Sequence, residues 1–253
     1  MATYKKRGYK PKTKVEKENS GDGSTAAEVF NTLDESASKT EAWVEKNQKF
    51  ILGFVGVVAL GVLGYLAYTQ FVQEPKEMEA TNEMFQAQTY YEQALNGVSK
   101  DSLFNLALSG GEGKFGFLDI IENYGGTNAA NLSNYYAGMS YINTGKYQEA
   151  INHLDNFNSD DLMLSSLAKG GIGDAFAQLN QNDQALKYYL DAARLNPNEV
   201  TSPRFLLKAG IISMQIGDSD AALKHFSEIT KTYPKSPEAA KAIVYEGQAE
   251  AMK

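Results

Sequence analysis

Residues 135–154 read YYAGMSYINTGKYQEAINHL, residues 170–189 read GGIGDAFAQLNQNDQALKYY, and residues 207–226 read LKAGIISMQIGDSDAALKHF. The three segments align without gaps. Gly138, Gly173 and Gly210 correspond, followed by Tyr141, Phe176 and Ser213, then Gly145, Asn180 and Gly217, then Ala150, Ala185 and Ala222, and finally Leu154, Tyr189 and Phe226. Successive glycines lie 35 and 37 residues apart, a period at which one supersecondary unit repeats and stacks on its neighbours. Each class has a mechanical role. The first small residue lets the two helices of a hairpin approach closely. The Gly or Asn closes the first helix by tolerating a left-handed backbone, and the alanine lets the second helix cross without a bulge. Pro197 and Pro234 stand where the second helices of the later units must stop.

This pattern resembles the tetratricopeptide repeat over roughly residues 131–235. The family's first-helix tryptophan is absent, with Asn134, Lys169 and Leu206 at or near its place. The family's carboxylate clamp is also unmatched, because Tyr135, Gly170 and Leu207 stand where its lysine would recur. The resemblance implies a groove lined by the first helices. It places Tyr135, Met139 and Ile142 of the first unit and Leu207, Ile211 and Met214 of the third on that groove as partner-binding residues. Apolar, methionine-bearing grooves suit peptide segments of variable sequence, although the same side chains would serve equally to pack against a terminal helix.

Downstream, residues 238–253 read EAAKAIVYEGQAEAMK, a terminal helix that covers the last repeat's apolar face. Residues 131–253 thus form the repeat array with its cap, and residues 77–130 form helical hairpins leading into it. The first of these carries Met78, Met84, Phe85, Tyr90, Tyr91 and Leu95 to a stop at Asn96 and Gly97.

Upstream lies the stretch FILGFVGVVALGVLGYLAY, Phe50 to Tyr68, without a charge. Its length suffices for a helix to cross a hydrocarbon core roughly 30 Å thick, so residues 50–72 are read as a transmembrane helix. Thr69, Gln70, Phe71, Val72 and Gln73 follow it in place of a small-residue cleavage site, so the anchor is expected to stay attached. Lys39, Lys46 and Lys49 flank it on one side against Lys76 on the other, which predicts a cytoplasmic N-terminus. Trp43, Tyr65 and Tyr68 sit where aromatic residues favour the membrane interfaces. Gly53, Gly56, Gly61, Gly64 and Ala67 fall within about 140° of one helical face at 100° per residue. Such a face permits close lateral packing in a membrane, where glycine is in any case frequent.

Residues 24–49 are expected to form a juxtamembrane amphipathic helix, with capping candidates Ser24 and Thr25 and apolar Val29, Phe30, Leu33 and Ala37 at helical spacing. Residues 1–23 have almost no apolar side chains and are read as a disordered basic tail. Seven cations against Glu16 give +6 over residues 1–17, leaving −13 of the net −7 on the remainder. The tail either touches anionic lipid or ribosomal RNA or simply fixes topology as a solvated segment.

The chemistry available is sparse. With no cysteine and only His153 and His225 as imidazoles, disulfides, thiol catalysis and cysteine-ligated zinc are excluded. The two histidines occupy one repeat position and are expected on second helices of their hairpins rather than converging on a metal. Residues 109–116, SGGEGKFG, fail the phosphate-loop template, with Leu108 at its first glycine and Phe115 at its Ser or Thr. Gly170, Gly171 and Gly173 belong to helix packing, since no strand precedes them. Asp160, Asp161, Asp218 and Asp220 read as turn and capping residues. The reading is a binding protein with no enzymatic activity, no cofactor and no small-molecule substrate.

Tail, single span and repeat array together resemble the ancillary subunit family of the bacterial Sec translocon. That resemblance implies the inner membrane, a periplasmic array, and the SecYEG channel, periplasmic chaperones and nascent secreted chains as partners. An anchored scaffold for another envelope or secretion complex fits the same architecture.

Overall fold

The computed structural model describes residues 25–97 and 100–253. Every regular element among them is helical, as the repeat reading requires. The chain divides into two compact units, one ending at Ala67 and one covering Tyr68–Lys253.

Helix α1, Thr25–Tyr68, accounts for the described part of the first unit. Phe50, Phe54, Val57, Leu60 and Leu63 along it are all exposed. A helix apolar on every side and buried on none suits hydrocarbon, and this helix is long and apolar enough to cross a membrane. The basic tail and Ser24 lie outside the described residues, as do the side chains of Val29 and Phe30. Leu33 and Ala37 of the proposed amphipathic face are exposed.

The second unit opens with a π-helical turn, Thr69–Gln73, in which the Glu74 amide donates to the Thr69 carbonyl five residues back. Pro75 supplies a cause, since it has no N–H for the carbonyl four residues earlier and its ring clashes there. Helices α2 (Glu74–Asn96), α3 (Lys100–Ser109) and α4 (Phe117–Asn123) follow. They enclose one core in which Tyr91 meets Phe104, Phe117 and Tyr136 edge-on, at centroid distances of 5.6, 6.3 and 5.1 Å. Residues 110–116 make a tight reverse turn with a single bridge between Gly111 and Lys114. Gly110, Glu112 and Gly113 there have positive φ.

Three hairpins come next: α5 (Asn128–Asn143) with α6 (Tyr147–Asn156), α7 (Leu162–Gln178) with α8 (Asn182–Leu195), and α9 (Thr201–Gln215) with α10 (Ser219–Thr232). Helix α11, Pro237–Ala251, packs on α10 and α9. The first helices also touch one another in order, α5 with α7, α7 with α9 and α9 with α11. Three core clusters therefore run into each other along the array. Met139 and Tyr141 pack against both the first and second clusters, and Phe176 against both the second and third.

The turns inside the hairpins are the same turn three times. Gly145, Asn180 and Gly217 take φ of 74°, 57° and 82°. The next residue's amide reaches back five positions in each, from Lys146 to Tyr141, Gln181 to Phe176 and Asp218 to Ser213, always at 2.9 Å. This pairing satisfies the carbonyls orphaned at a helix end and demands the left-handed residue that the alignment puts there.

Candidate functional site

The first helices α5, α7 and α9 form the contiguous surface on which a partner-binding groove was expected. What holds them in place is the crossing of each hairpin. A Cβ added to Gly138 would lie 2.5 Å from Leu154 Cγ, one on Gly173 2.7 Å from Tyr189 Cδ1, and one on Gly210 2.3 Å from Phe226 Cε1. The aligned glycine and the last residue of each segment are thus seated on one another. Ala150, Ala185 and Ala222, one turn earlier on the second helices, have no exposed surface. Gly170 and Gly171 serve the seams between hairpins instead. Gly170 lies under the Phe205 ring, and Gly171 under Leu154, Met139 and Ile142.

Met139 and Ile142 therefore come together against α7, their Sδ and Cδ1 atoms 3.3 and 3.4 Å from the position of a Gly171 Cβ. Tyr135 is half-buried and packs on Phe157 at 5.3 Å and on Tyr136 at 5.7 Å. Burial among these rings raises its phenol pKa, with the neighbouring Tyr136 adding to the rise. On α9, Ile211 and Met214 are half-buried, whereas Leu207 is buried in the third core cluster. The two triplets belong to different clusters. Leu207 serves the core, which leaves Ile211 and Met214 as the apolar surface of α9.

Between those triplets lies a polar junction that pattern reading missed. Asp174 of α7 accepts from Lys208 of α9, at 2.5 and 2.7 Å to its two oxygens, and from the Tyr189 hydroxyl at 2.7 Å. Lys208 also lies 5.6 Å from the Tyr189 ring centroid and 5.9 Å from that of Phe205. Burial, then the Asp174 charge, then the hydrogen bond to it push the Tyr189 phenol well above its ordinary range. The only sequence signal was an acid and a base placed about one repeat apart. A second such feature is Glu77 of α2, whose carboxylate accepts from the amides of Asn128 and Ala129 at 2.6 and 2.9 Å. It caps α5 from 51 residues away in sequence, and Lys76 beside it donates to the Gly125 carbonyl at 2.8 Å.

The histidines stay apart in α6 and α10. His153 Nδ1 lies 3.0 Å from Asn134 Oδ1 and its ring stacks on Tyr141 at 5.4 Å. The polar residue at the missing tryptophan's place is thereby satisfied from the second helix. In the third unit the counterparts of Tyr141 and His153 are Ser213 and His225, both buried, and among the described residues neither Ser213 Oγ nor His225 Nδ1 has a hydrogen-bond partner. Burial lowers the pKa of both imidazoles, and nearby Arg194 and Lys224 lower that of His225 further. Among the described residues no group of three acidic or imidazole side chains could hold a metal. Asp161 and Asp218 cap α7 and α10, accepting from amides in their first turns.

Clefts open beside α5. One of about 350 Å³ is lined by Asn128, Asn131, Phe157, Asn158 and Leu164 among others. Asn131 there is spent on the backbone of Asn158, donating to its carbonyl and accepting from its amide. Ser159 and Asp160 complete its polar rim, and the Ser159 hydroxyl accepts from the Asp161 amide at 3.1 Å.

No curated protein matches the chain. Residues 135–200 match one model of the tetratricopeptide repeat and residues 205–236 match a second, so the hairpins α5 to α10 are tetratricopeptide repeats, a scaffold of the kind that binds other proteins and typically lacks catalysis.

Proposed function

We propose that this chain is an accessory factor of the bacterial Sec protein-translocation channel, anchored in the inner membrane by residues 50–72. Its residues 1–23 lie in the cytoplasm and its array, residues 131–253, in the periplasm. There the array offers Tyr135, Met139, Ile142, Ile211 and Met214 to chaperones or emerging polypeptides, with Leu207 supporting that surface from below. One observation carries the reading: among the described residues one exposed apolar helix long enough to cross a membrane accompanies a tetratricopeptide array. The lysine bias across the apolar stretch supports the orientation. The face of Gly53, Gly56, Gly61, Gly64 and Ala67 supports a lateral contact with the channel, and the basic tail supports contact with anionic lipid or the ribosome.

Photocrosslinking from Met139 and Ile211, followed by purification in mild detergent, tests this. Channel subunits and secreted chains are expected as the dominant products. Dominance of a cell-wall or secretion complex would instead make the chain a scaffold for that assembly.

A further inference from the structure

Helix α11 stands to α9 and α10 as α9 stands to α7 and α8. The register that adds 37 to α9 places Ala239, Ala242 and Ala249 on Ser202, Phe205 and Ile212, and all six are buried against the preceding hairpin. By the same register Gly247 falls on Gly210, Ile243 on Leu206 and Val244 on Leu207. Leu206 and Leu207 are 1% and 8% exposed within the third core cluster, while Ile243 and Val244 are 62% and 60% exposed. Gly210 is pressed by Phe226, whereas nothing lies within 4 Å of a Cβ on Gly247. A glycine inside a helix costs stability relative to alanine unless close packing or backbone geometry requires it. Among the described residues no contact requires Gly247. Ala240, Ile243, Val244 and Gly247 make one exposed apolar stripe along α11, flanked by exposed Lys241, Gln248 and Glu250.

We infer that the outward face of α11, built from Ala240, Ile243, Val244 and Gly247, is a docking site for one amphipathic helix of a partner protein, seated as a second helix seats in the internal hairpins. The hairpins state the chemistry of the occupant. Each second helix presents an alanine and, four residues on, a large apolar residue: Ala150 and Leu154, Ala185 and Tyr189, Ala222 and Phe226. The large residue lies on the glycine. Because the two helices of a hairpin run antiparallel, the partner's N-terminus lies beside Glu250, whose charge complements the positive end of the helix dipole. The helix is held on the preceding hairpin by its buried Ala239, Ala242 and Ala249, so the site is held in place. This inference rests on the reading of the array as an interaction scaffold, yet its test does not involve the translocon.

The probe is a fluorescein-labelled, helix-constrained peptide with the sequence of α10, Ser219–Thr232, titrated onto the full chain in lipid nanodiscs. Saturable binding is expected, and it should weaken at least about tenfold with Gly247→Leu or Val244→Asp in the chain or with Phe226→Ala in the peptide. The Gly247→Leu chain should melt no lower than the parent, because its side chain enters open space, so the loss reads docking and not folding. Equal binding to the Gly247→Leu chain, or absence of saturation at roughly millimolar peptide, overturns the inference. Concentration-dependent self-association of the chain that Gly247→Leu abolishes also overturns it, by assigning the face to a second copy.

Discussion

Glycine recurs in both units, and its surroundings differ between them. In the hairpins Gly138, Gly173 and Gly210 each face a large side chain of the following helix, closer than 3 Å to where a Cβ would be. Along α1, Gly53, Gly56, Gly61 and Gly64 have nothing within 4 Å of that position. The first set is explained by contacts the chain makes with itself, since deleting a methyl group there lets two helices close to packing distance. Among the described residues the second set has no such internal reason, and neither does Gly247. The same residue is therefore an internal joint in one setting and an outward surface in the other, and the two predict opposite responses to substitution.

The sharpest break of that comparison is Gly173→Leu. The new side chain collides with the Tyr189 ring, which is itself pinned by its bond to Asp174 and cannot swing away without losing it. Overpacking of this kind is expected to lower stability by about 3 kcal/mol, read as a shift in urea midpoint without change of slope. A variant as stable as the parent would show that the crossing is loose, and the joint reading of Gly138 and Gly210 would go with it.

Much of this was legible beforehand because the repeat encodes geometry at fixed offsets. The left-handed turn, the zero-exposure alanine and the glycine under a large residue recur at identical positions in three units, so one correct alignment yields the all-helical array. The interhelical polar contacts were not legible. Glu77 caps α5 from α2, and Asp174 reaches Lys208 across a seam; neither is periodic, and each depends on how far a side chain extends once the helices are already placed. The burial of Leu207 was hidden for a related reason. Its position faces the groove in the repeat pattern, yet the core of the third hairpin closes over it. The outward face of α11 was not legible, because in sequence its apolar residues are equally well explained as a cover for the last repeat. It does cover α9 and α10, but it has two faces.

A smaller effect sharpens the turn itself. Asn180 holds a φ of 57° where the other two units have glycine, and asparagine tolerates this region better than other residues with a Cβ. Asn180→Ala is expected to cost about 1 kcal/mol, and Asn180→Gly to be neutral or slightly stabilising. Thermal melts of the two variants separate these outcomes. Equal loss from both would mean that the asparagine side chain, and not the backbone angle, is what the turn requires.

The smallest expected effect on stability comes from the other side of the comparison, Gly53, Gly56 and Gly64 replaced together by leucine. Open space surrounds each position, so the array's urea midpoint should shift by less than an amount equivalent to about 0.5 kcal/mol. Insertion should persist, because leucine is more apolar than glycine. In hydrocarbon, however, lateral association draws on close backbone approach and dispersion contacts, which leucine at these positions would hold apart. Under the proposed function, retention of channel subunits in mild detergent should therefore fall while membrane localisation is unchanged. Exchanging Val58, Leu60 and Val62 for other aliphatic residues of similar size is the control, since it alters bulk little and leaves the glycine face intact. If the leucine variant keeps its partners at the parental ratio, the glycines of α1 are indifferent to what surrounds them. Recruitment would then fall to the array, through the surface of α5 and α9 or the open face of α11.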